Sequence, residues 1–507
     1  MSVSTIEPEA DIVIATPEEV SMEDEVEDEV TSQQPHIGFG VFRFRFNLAN
    51  FRLGRDISDR RFSIAEAALL LMAAYLASRG LGVVRQSIFN ALFGTSDAAN
   101  AYYAAFRLPD FLFNLIAGGA LTHAFVPVFV TFDKEKGRQA AWRLTSLIFN
   151  IMLVSLTAIV LVGEILAPVF VSHILVPGYS AQVQDLTTSL TRIMLIQPLI
   201  LGLGTIATSV LSSKRQFLLP ALSIAVYNFG LIAGLVCTLI YPPLGIYGPT
   251  YGVLLAALCQ VVVQIPGLVR QGIRYSFVWN LRDSGLRQVL NLLGPNALIV
   301  MLGSTAFIID TAFASYLPDL ASLSAQHNAY MLFYVPVALL SQAVSQPVLP
   351  QLSLLAARGN FLRMQRLTAR VTGASLLLGI PATLGLCILG KPVIHLIFQH
   401  GAFDSHSTTL TALALIGYAV GLPAIIASEM FVRAFFAVKD ARVPLFTNIF
   451  NLSVHIALIL TLLKVYTGQN AILAIPLAAS GSATAECILL GTLLYFRLRR
   501  KIRKEMS

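Results

Sequence analysis

Long apolar stretches separated by short polar breaks dominate this chain from residue 64 onward. Twelve of them are long enough for an α-helix to cross a bilayer: 64–93, 100–131, 142–172, 185–211, 217–240, 248–270, 286–317, 325–350, 368–391, 407–436, 443–465 and 470–496. The connections between them alternate in charge. Basic residues cluster before the first stretch and after the even ones, at Lys134, Lys136 and Arg138, at Lys214 and Arg215, and at Arg270, Arg274, Arg282 and Arg287. The pattern continues at Arg358, Arg363 and Arg366, at Lys439 and Arg442, and in the tail RLRRKIRK. The odd connections are nearly free of Lys and Arg, with Lys391 and Lys464 as exceptions. Positive-inside bias therefore predicts both termini in the cytoplasm, which requires an even number of spans. The expected fold is an all-α polytopic membrane protein of about twelve transmembrane helices, placed in the cell (cytoplasmic) membrane.

Composition sharpens the picture. The 507 residues are 56% hydrophobic and only 12% charged, more apolar surface than a soluble core can hide. Cys237, Cys259, Cys387 and Cys487 all lie in apolar stretches without CxxC or Cys/His spacing, so neither a metal site nor a disulfide framework is signalled. No P-loop, HExxH or GxSxG occurs, which favours a transporter over an enzyme and implies no bound cofactor. Residues 1–36 lack Lys and Arg but are rich in acids, and read as a disordered cytoplasmic tail. In residues 37–62, Phe42, Phe44, Phe46 and Phe51 interleave with Arg43, Arg45, Arg52 and Arg55. That juxtamembrane pattern fits anionic lipid at a membrane surface better than nucleic acid.

The chain also repeats itself. APVFVSHILVPGY, from Ala167, resembles KPVIHLIFQHGAF, from Lys391, and both Pro168/Pro392 and Pro220/Pro444 are 224 positions apart. The shift spans six stretches, an even number, so the two halves should have parallel topology. The expectation is two six-helix bundles, 63–275 and 284–497, related by a pseudo-two-fold along the membrane normal and followed by a basic cytoplasmic tail, 498–507. A ligand cavity between them would suit alternating access by rocking.

Charge inside the apolar stretches marks the candidate chemistry. A cation at bilayer depth costs at least ~3 kcal/mol unless it meets water, a partner or an anion. Arg79 and Arg85 sit in the first stretch, six residues and thus about 120° of helix apart, so they point different ways, one toward a cavity rim and one toward a helix interface. Arg107 and Asp110 follow, spaced for an i,i+3 ion pair. Each arginine has two readings, contact with an anionic ligand or a structural, snorkelling role. Asp310 in the seventh stretch is either a proton or sodium site or a hydroxyl-bonded residue near the helix end. Glu429 and Arg433 read as a helix-stabilising i,i+4 pair.

The segments SRGLGVVRQSIFNALFG and NAYYAAFRLPDFLFNLIAGGALTHAFVPVF resemble the opening helices of the MurJ/MviN family of proposed lipid II flippases. That family lies within the multidrug/oligosaccharidyl-lipid/polysaccharide exporter superfamily. GPNALIVMLGSTAFIIDTAFASYL, LIFQHGAFDSHSTTLTALALIGYAVGL and RAFFAVKDARVPL extend the likeness over roughly residues 64–500. The resemblance implies a twelve-helix, two-bundle core and alternating-access export of a polyprenyl-pyrophosphate-linked peptidoglycan precursor. It implies a cationic central cavity, with Arg85, Arg79 and Arg107 on the family's basic positions and able to attract the pyrophosphate. Implied partners are the lipid-linked anionic glycan, membrane lipids and cell-wall synthesis proteins. Relative to the family pattern, Phe113 and Asn114 replace a basic pair, Gly118 an acid, Asn100 an aspartate, and Tyr330 and Met331 an Asp-Arg pair. Two further readings stay open, a flippase for another lipid-linked glycan and an ion-coupled multidrug antiporter relying on Asp310.

Overall fold

The computed structural model describes residues 64–116 and 119–506, so the acidic tail 1–36, the segment 37–62 and Gly118 lie outside the described residues. Among the described residues the chain is helical and has no strand. In the first half, α1 (Ile64–Phe93) leads to α2 (Asp97–Ala105), α3 (Arg107–Ile116) and α4 (Gly119–Glu135). Next come α5 (Arg138–Phe170), α6 (Ala181–Met194), α7 (Ile196–Ser213), α8 (Leu218–Ile240), α9 (Tyr247–Val262) and α10 (Ile265–Arg270). Residues 273–280, without regular structure, lead into α11 (Ser284–Ala314), α12 (Ser322–Ala357) and α13 (Phe361–Phe398). The chain closes with α14 (Ser405–Ala419), α15 (Leu422–Ala437), α16 (Arg442–Val465) and α17 (Ala474–Met506).

Seven helical stretches are long and apolar enough to cross a membrane, and α14 with α15, bent by 42°, makes an eighth. Helices α1, α11 and α12 contain 30, 31 and 36 residues, also a spanning length at about 1.5 Å per residue. The protein is a multi-pass membrane protein. Its outer helix faces carry bare aliphatic side chains, such as Ile165, Ile240, Leu377, Ile388 and Leu396, each more than 70% exposed. In water that exposure would be prohibitive; in lipid it is the solvated state.

Local chemistry sets the helix ends. Asp283 caps α11 by accepting from the Gly285 and Leu286 amides at 2.8 and 3.2 Å, and Asp404 caps α14 by accepting from Ser407 N at 2.8 Å. α1 stops where Gly94 takes φ +56°. A Cβ there would also collide with the backbone of Ala402, so both conformation and space demand glycine. The basic end of α17 is packed rather than free: Leu498 is buried and Arg497 pairs with Asp440 at 2.6 Å.

The 224-residue repeat is visible in the backbone. α5 through α8 begin at 138, 181, 196 and 218, and α13 through α16 at 361, 405, 422 and 442. Arg215 and Lys439, 224 positions apart, are the two non-glycine residues with positive φ among the described residues, at 59° and 58°. Both sit in a tight turn between two spans. The break between α2, α3 and α4 is where the halves differ, since the matching stretch of the second half is the continuous α12.

Contacts between the halves also come in related pairs. Asn100 Oδ1 accepts from Ser324 N at 2.9 Å and Ser324 Oγ at 2.5 Å, between positions 224 apart. Tyr103 stacks on His327, again 224 away, with ring centroids 4.0 Å apart. Ala402 N donates to Ala91 O at 2.9 Å, and the counterpart pair, Gly178 and Ser315, is joined by Gly178 N to Ser315 Oγ at 3.0 Å. A two-fold interface has this signature, in which residue i meets j and j meets i. These contacts lie at or near the odd, charge-poor connections. Among the described residues no hydrogen bond or ion pair joins the basic connections 134–138 and 212–217 to those at 358–366 and 438–442. Helix α11 packs along α3 and α4, with Leu286 and Val289 in one core with Phe132, Trp142 and Leu144, while its far end meets Ile459 and Ile475.

Candidate substrate cavity

Three neighbouring cavities with shared walls lie between the two halves. The first, about 290 Å³, is lined by Arg85, Tyr102, Tyr103, Arg107, Asp110, Tyr227 and His327 among others. The second, about 250 Å³, shares Arg107, Asp110 and His327 and adds Asn114, Phe307, Asp310, Tyr330 and Tyr418. The third, about 680 Å³, shares Phe307, Asp310, Tyr330 and Tyr418 and reaches Glu429, Arg433, Asn451, His455 and Glu486. Cations thus dominate one end of the chain of cavities and carboxylates the other.

Helix geometry sends the arginines to different places. Arg85 faces the first cavity, and among the described residues its guanidinium makes no hydrogen bond or ion pair within the limits of ordinary geometry. Arg79 lies over the Tyr334 ring at 5.2 Å, and Tyr334 lines the third cavity. Arg107 is held from both sides by α11, its Nε donating to Thr311 Oγ1 at 3.0 Å and its guanidinium lying 5.3 Å from the Phe307 centroid. It turns toward α11 rather than toward Asp110, three residues along its own helix, and no ion pair joins the two. Both line the first and second cavities instead.

Asp310 has a partner that the sequence reading did not name. Its Oδ1 lies 2.6 Å from His455 Nε2, a contact between α11 and α16 in which the histidine is 4% and the aspartate 15% exposed. Glu486 accepts from Asn451 Nδ2 at 2.8 Å. Glu429 and Arg433 lie 3.4 Å apart along α15. Sequence reasoning missed His455 and Glu486 because their partners lie 145 and 35 residues away. A lone histidine in an apolar span was the available signal.

Between the first cavity and the charge-poor connections stands a buried amide cluster. Gln86 Nε2 donates to Asn328 Oδ1 at 2.8 Å and to Tyr103 Oη at 2.5 Å. Asn90 Nδ2 donates to the same Asn328 oxygen at 3.0 Å, and Asn328 Nδ2 donates to Asn90 Oδ1 at 3.3 Å. All three amides are at most 2% exposed. The cluster ties α1 to α12, and Gln86 and Tyr103 form part of the first cavity's wall.

A sequence model described as "Lipid II flippase MurJ" matches residues 89–506. The chain is 28% identical over 420 residues to a probable lipid II flippase MurJ of Rhizobium meliloti (strain 1021), covering 82% of this chain and 76% of that protein. It is 30% identical over 384 residues to the lipid II flippase MurJ of Burkholderia cenocepacia, covering 74% of each. Among solved structures, a lipid II flippase MurJ in an inward closed conformation superposes with a TM-score of 0.71 at 25% identity, over 83% of this chain and 86% of that one. An inward-facing multidrug resistance MATE family transporter shares the fold, with a TM-score of 0.73 at 12% identity over 86% of this chain and 99% of that one.

Proposed function

The chain belongs to the MurJ lipid II flippase family, and from that premise we propose that it carries lipid II across the cytoplasmic membrane by alternating access. Two six-helix bundles, 63–275 and 284–497, rock about the paired contacts described above, with both termini in the cytoplasm. In that orientation the basic connections face the cytoplasm. The amide cluster and the Ala91–Ala402 contact then seal the outer side, and the central cavities communicate with the inner leaflet.

Arg85 carries the reading. It is a cation without an ion-pair partner among the described residues, on the wall of a central cavity, where charge-assisted contacts are stronger than in water. Arg107, preoriented by Thr311 and Phe307, and Arg79, at the Tyr334 rim, extend the cationic path for the pyrophosphate. Phosphate recognition suits arginine, whose planar fork donates two parallel hydrogen bonds. Asp310, with His455, is the proton or sodium site that couples transport in the second half, and Glu429 with Arg433 is a structural ion pair. Cell-wall synthesis proteins are the expected protein partners on either side of the translocation step.

Complementation tests this. In a bacterium depleted of its own lipid II flippase, the wild-type chain should restore growth and Arg85→Ala should not, with equal amounts of both proteins in the membrane. Full rescue by Arg85→Ala removes the arginine from the mechanism, and no rescue by wild type removes lipid II as substrate. A second reading, an ion-coupled multidrug antiporter, draws on Asp310, Glu429 and Glu486 in the third cavity and predicts acid-dependent efflux of a cationic dye.

A further inference from the structure

On the outside of the first half, remote from the central cavities, two chambers adjoin. One, about 450 Å³, is walled by apolar side chains of α5, α7, α9 and α10, including Phe149, Ile206, Val210, Val261 and Leu268. The other, about 410 Å³, carries two arginines and is walled by Gln139, Arg143, Arg274, Ser276 and Val278. Trp142 and Arg274 belong to both. Neither chamber shares a residue with the three central cavities.

The chambers are built by the 273–280 segment lying against α5. Ser276 N donates to Ser146 Oγ at 3.2 Å, Asn150 Nδ2 to Val278 O at 3.0 Å, and Tyr275 Oη to Asn150 Oδ1 at 2.8 Å. The segment turns Phe277 and Trp279 outward, each at least half exposed, while Tyr275, 60% exposed, lies against Phe149. Aromatic side chains of this kind settle at the headgroup level of a bilayer, which brings Arg274 to phosphate depth. Arg143 and Arg274 have no ion-pair partner among the described residues. At the junction Trp142 is 2% exposed and its indole N–H, a donor with no other role, finds no acceptor.

We propose that the Trp142–Arg143–Arg274 pocket binds one anionic phospholipid of the leaflet on the basic side. An acyl chain fills the apolar chamber, the phosphate lies between the two arginines, and a headgroup or ester oxygen accepts from the Trp142 indole. Each half of an amphiphile meets the matching chamber, and the charge sign selects anionic lipid from a leaflet that is rich in it. The groove opens to the bilayer rather than to the transport path, which assigns it to a resident lipid and not to the substrate's polyprenyl chain.

The test is native mass spectrometry on the full-length protein, delipidated and then supplied with phosphatidylglycerol, phosphatidylcholine or polyprenyl phosphate. Wild type should retain one phosphatidylglycerol about tenfold or more over phosphatidylcholine, as two arginines beside an anionic headgroup imply. The R143Q/R274Q double variant should lose that preference, and Ala207→Trp, which fills the apolar chamber, should lower retention of both phospholipids. Equal retention of the two phospholipids by wild type overturns the proposal without recourse to any variant. So does an unchanged preference in R143Q/R274Q, or one-for-one displacement of phosphatidylglycerol by polyprenyl phosphate.

Discussion

Replacing Asn328 by leucine should open the outer side. Its carboxamide accepts from Gln86 and Asn90 and donates back to Asn90, three hydrogen bonds among groups at most 2% exposed. Leucine fills a similar volume but removes all three. Interhelical hydrogen bonds inside membranes average about 0.6 kcal/mol each, so the loss is about 2 kcal/mol. Gln86 keeps its bonds to Tyr103 and Asn90, but Asn90 Nδ2 is left without its acceptor, which adds roughly 1–3 kcal/mol for that one buried group. In an outward-open state the same amides meet water, so the penalty falls on the closed state alone. At 1.4 kcal/mol per factor of ten, even 2 kcal/mol shifts the closed-to-open ratio about 30-fold. The assay is pulsed electron paramagnetic resonance with spin labels at Asp97→Cys and Ser405→Cys, both exposed and on opposite halves, in a background lacking the four native cysteines. Asn328→Leu should enlarge the long-distance population. An unchanged distance distribution in folded protein would show that the amide cluster does not latch the two halves.

Other outcomes follow from the same geometry. His455→Leu leaves the Asp310 carboxyl buried without its 2.6 Å partner and should cost about 3 kcal/mol; D310N/H455L should recover part of it in detergent melts, and strict additivity would refute the coupling. Gly178→Ala would push a Cβ into the Ser315 backbone, so a loss of about 1–3 kcal/mol is expected, read as a lower melting temperature than wild type. Asp404→Ala removes the cap of α14 at about 1 kcal/mol. Hydrogen bonds from the Ser407 amide and hydroxyl hold the Asp404 carboxyl below its ordinary value. The cap's contribution is therefore complete above the unfolded value of about 3.9 and disappears as pH falls through the lower folded one. Melts at pH 7 and pH 3 should thus separate wild type from the variant more widely at the higher pH.

Two kinds of information lie in this sequence, and they read differently. Hydropathy and the 224-residue offset are periodic, so the membrane-protein class and the matched helices of the two halves are legible without coordinates. Arg79 and Arg85, 120° apart on one helix, were already bound to diverge, and they do, one to Tyr334 and one to the first cavity. Partners across the molecule are not periodic: nothing local to Asp310 announces His455, and nothing local to Arg107 announces Thr311. Yet the offset held more than was drawn from it. Parallel halves related by a two-fold place residues near the axis opposite their own counterparts. Asn100 with Ser324, and Tyr103 with His327, are such pairs, and a scan for polar or aromatic residues 224 apart would have found both.

The same offset shows where the halves stop being equivalent. The counterparts of Arg79, Arg85 and Arg107 in the second half are Gly303, Ile309 and Met331, and those of Asp310, Glu429 and His455 in the first are Gln86, Thr205 and Leu231. The scaffold is duplicated and the charge is not. A symmetric cavity would attract an anion equally on both walls and hold it across the axis, where rocking has to break one set of contacts. With the cations on one half, an anionic head can stay with that half while the other moves, and the carboxylates opposite repel it toward release. Moving the unpaired charge to a cavity wall of the other half, as Arg85→Ala with Ala306→Arg, should therefore stop transport even though composition and net charge are unchanged. Growth rescue by that swapped protein would show that cavity charge matters only in total, and the asymmetry argument would fall with it.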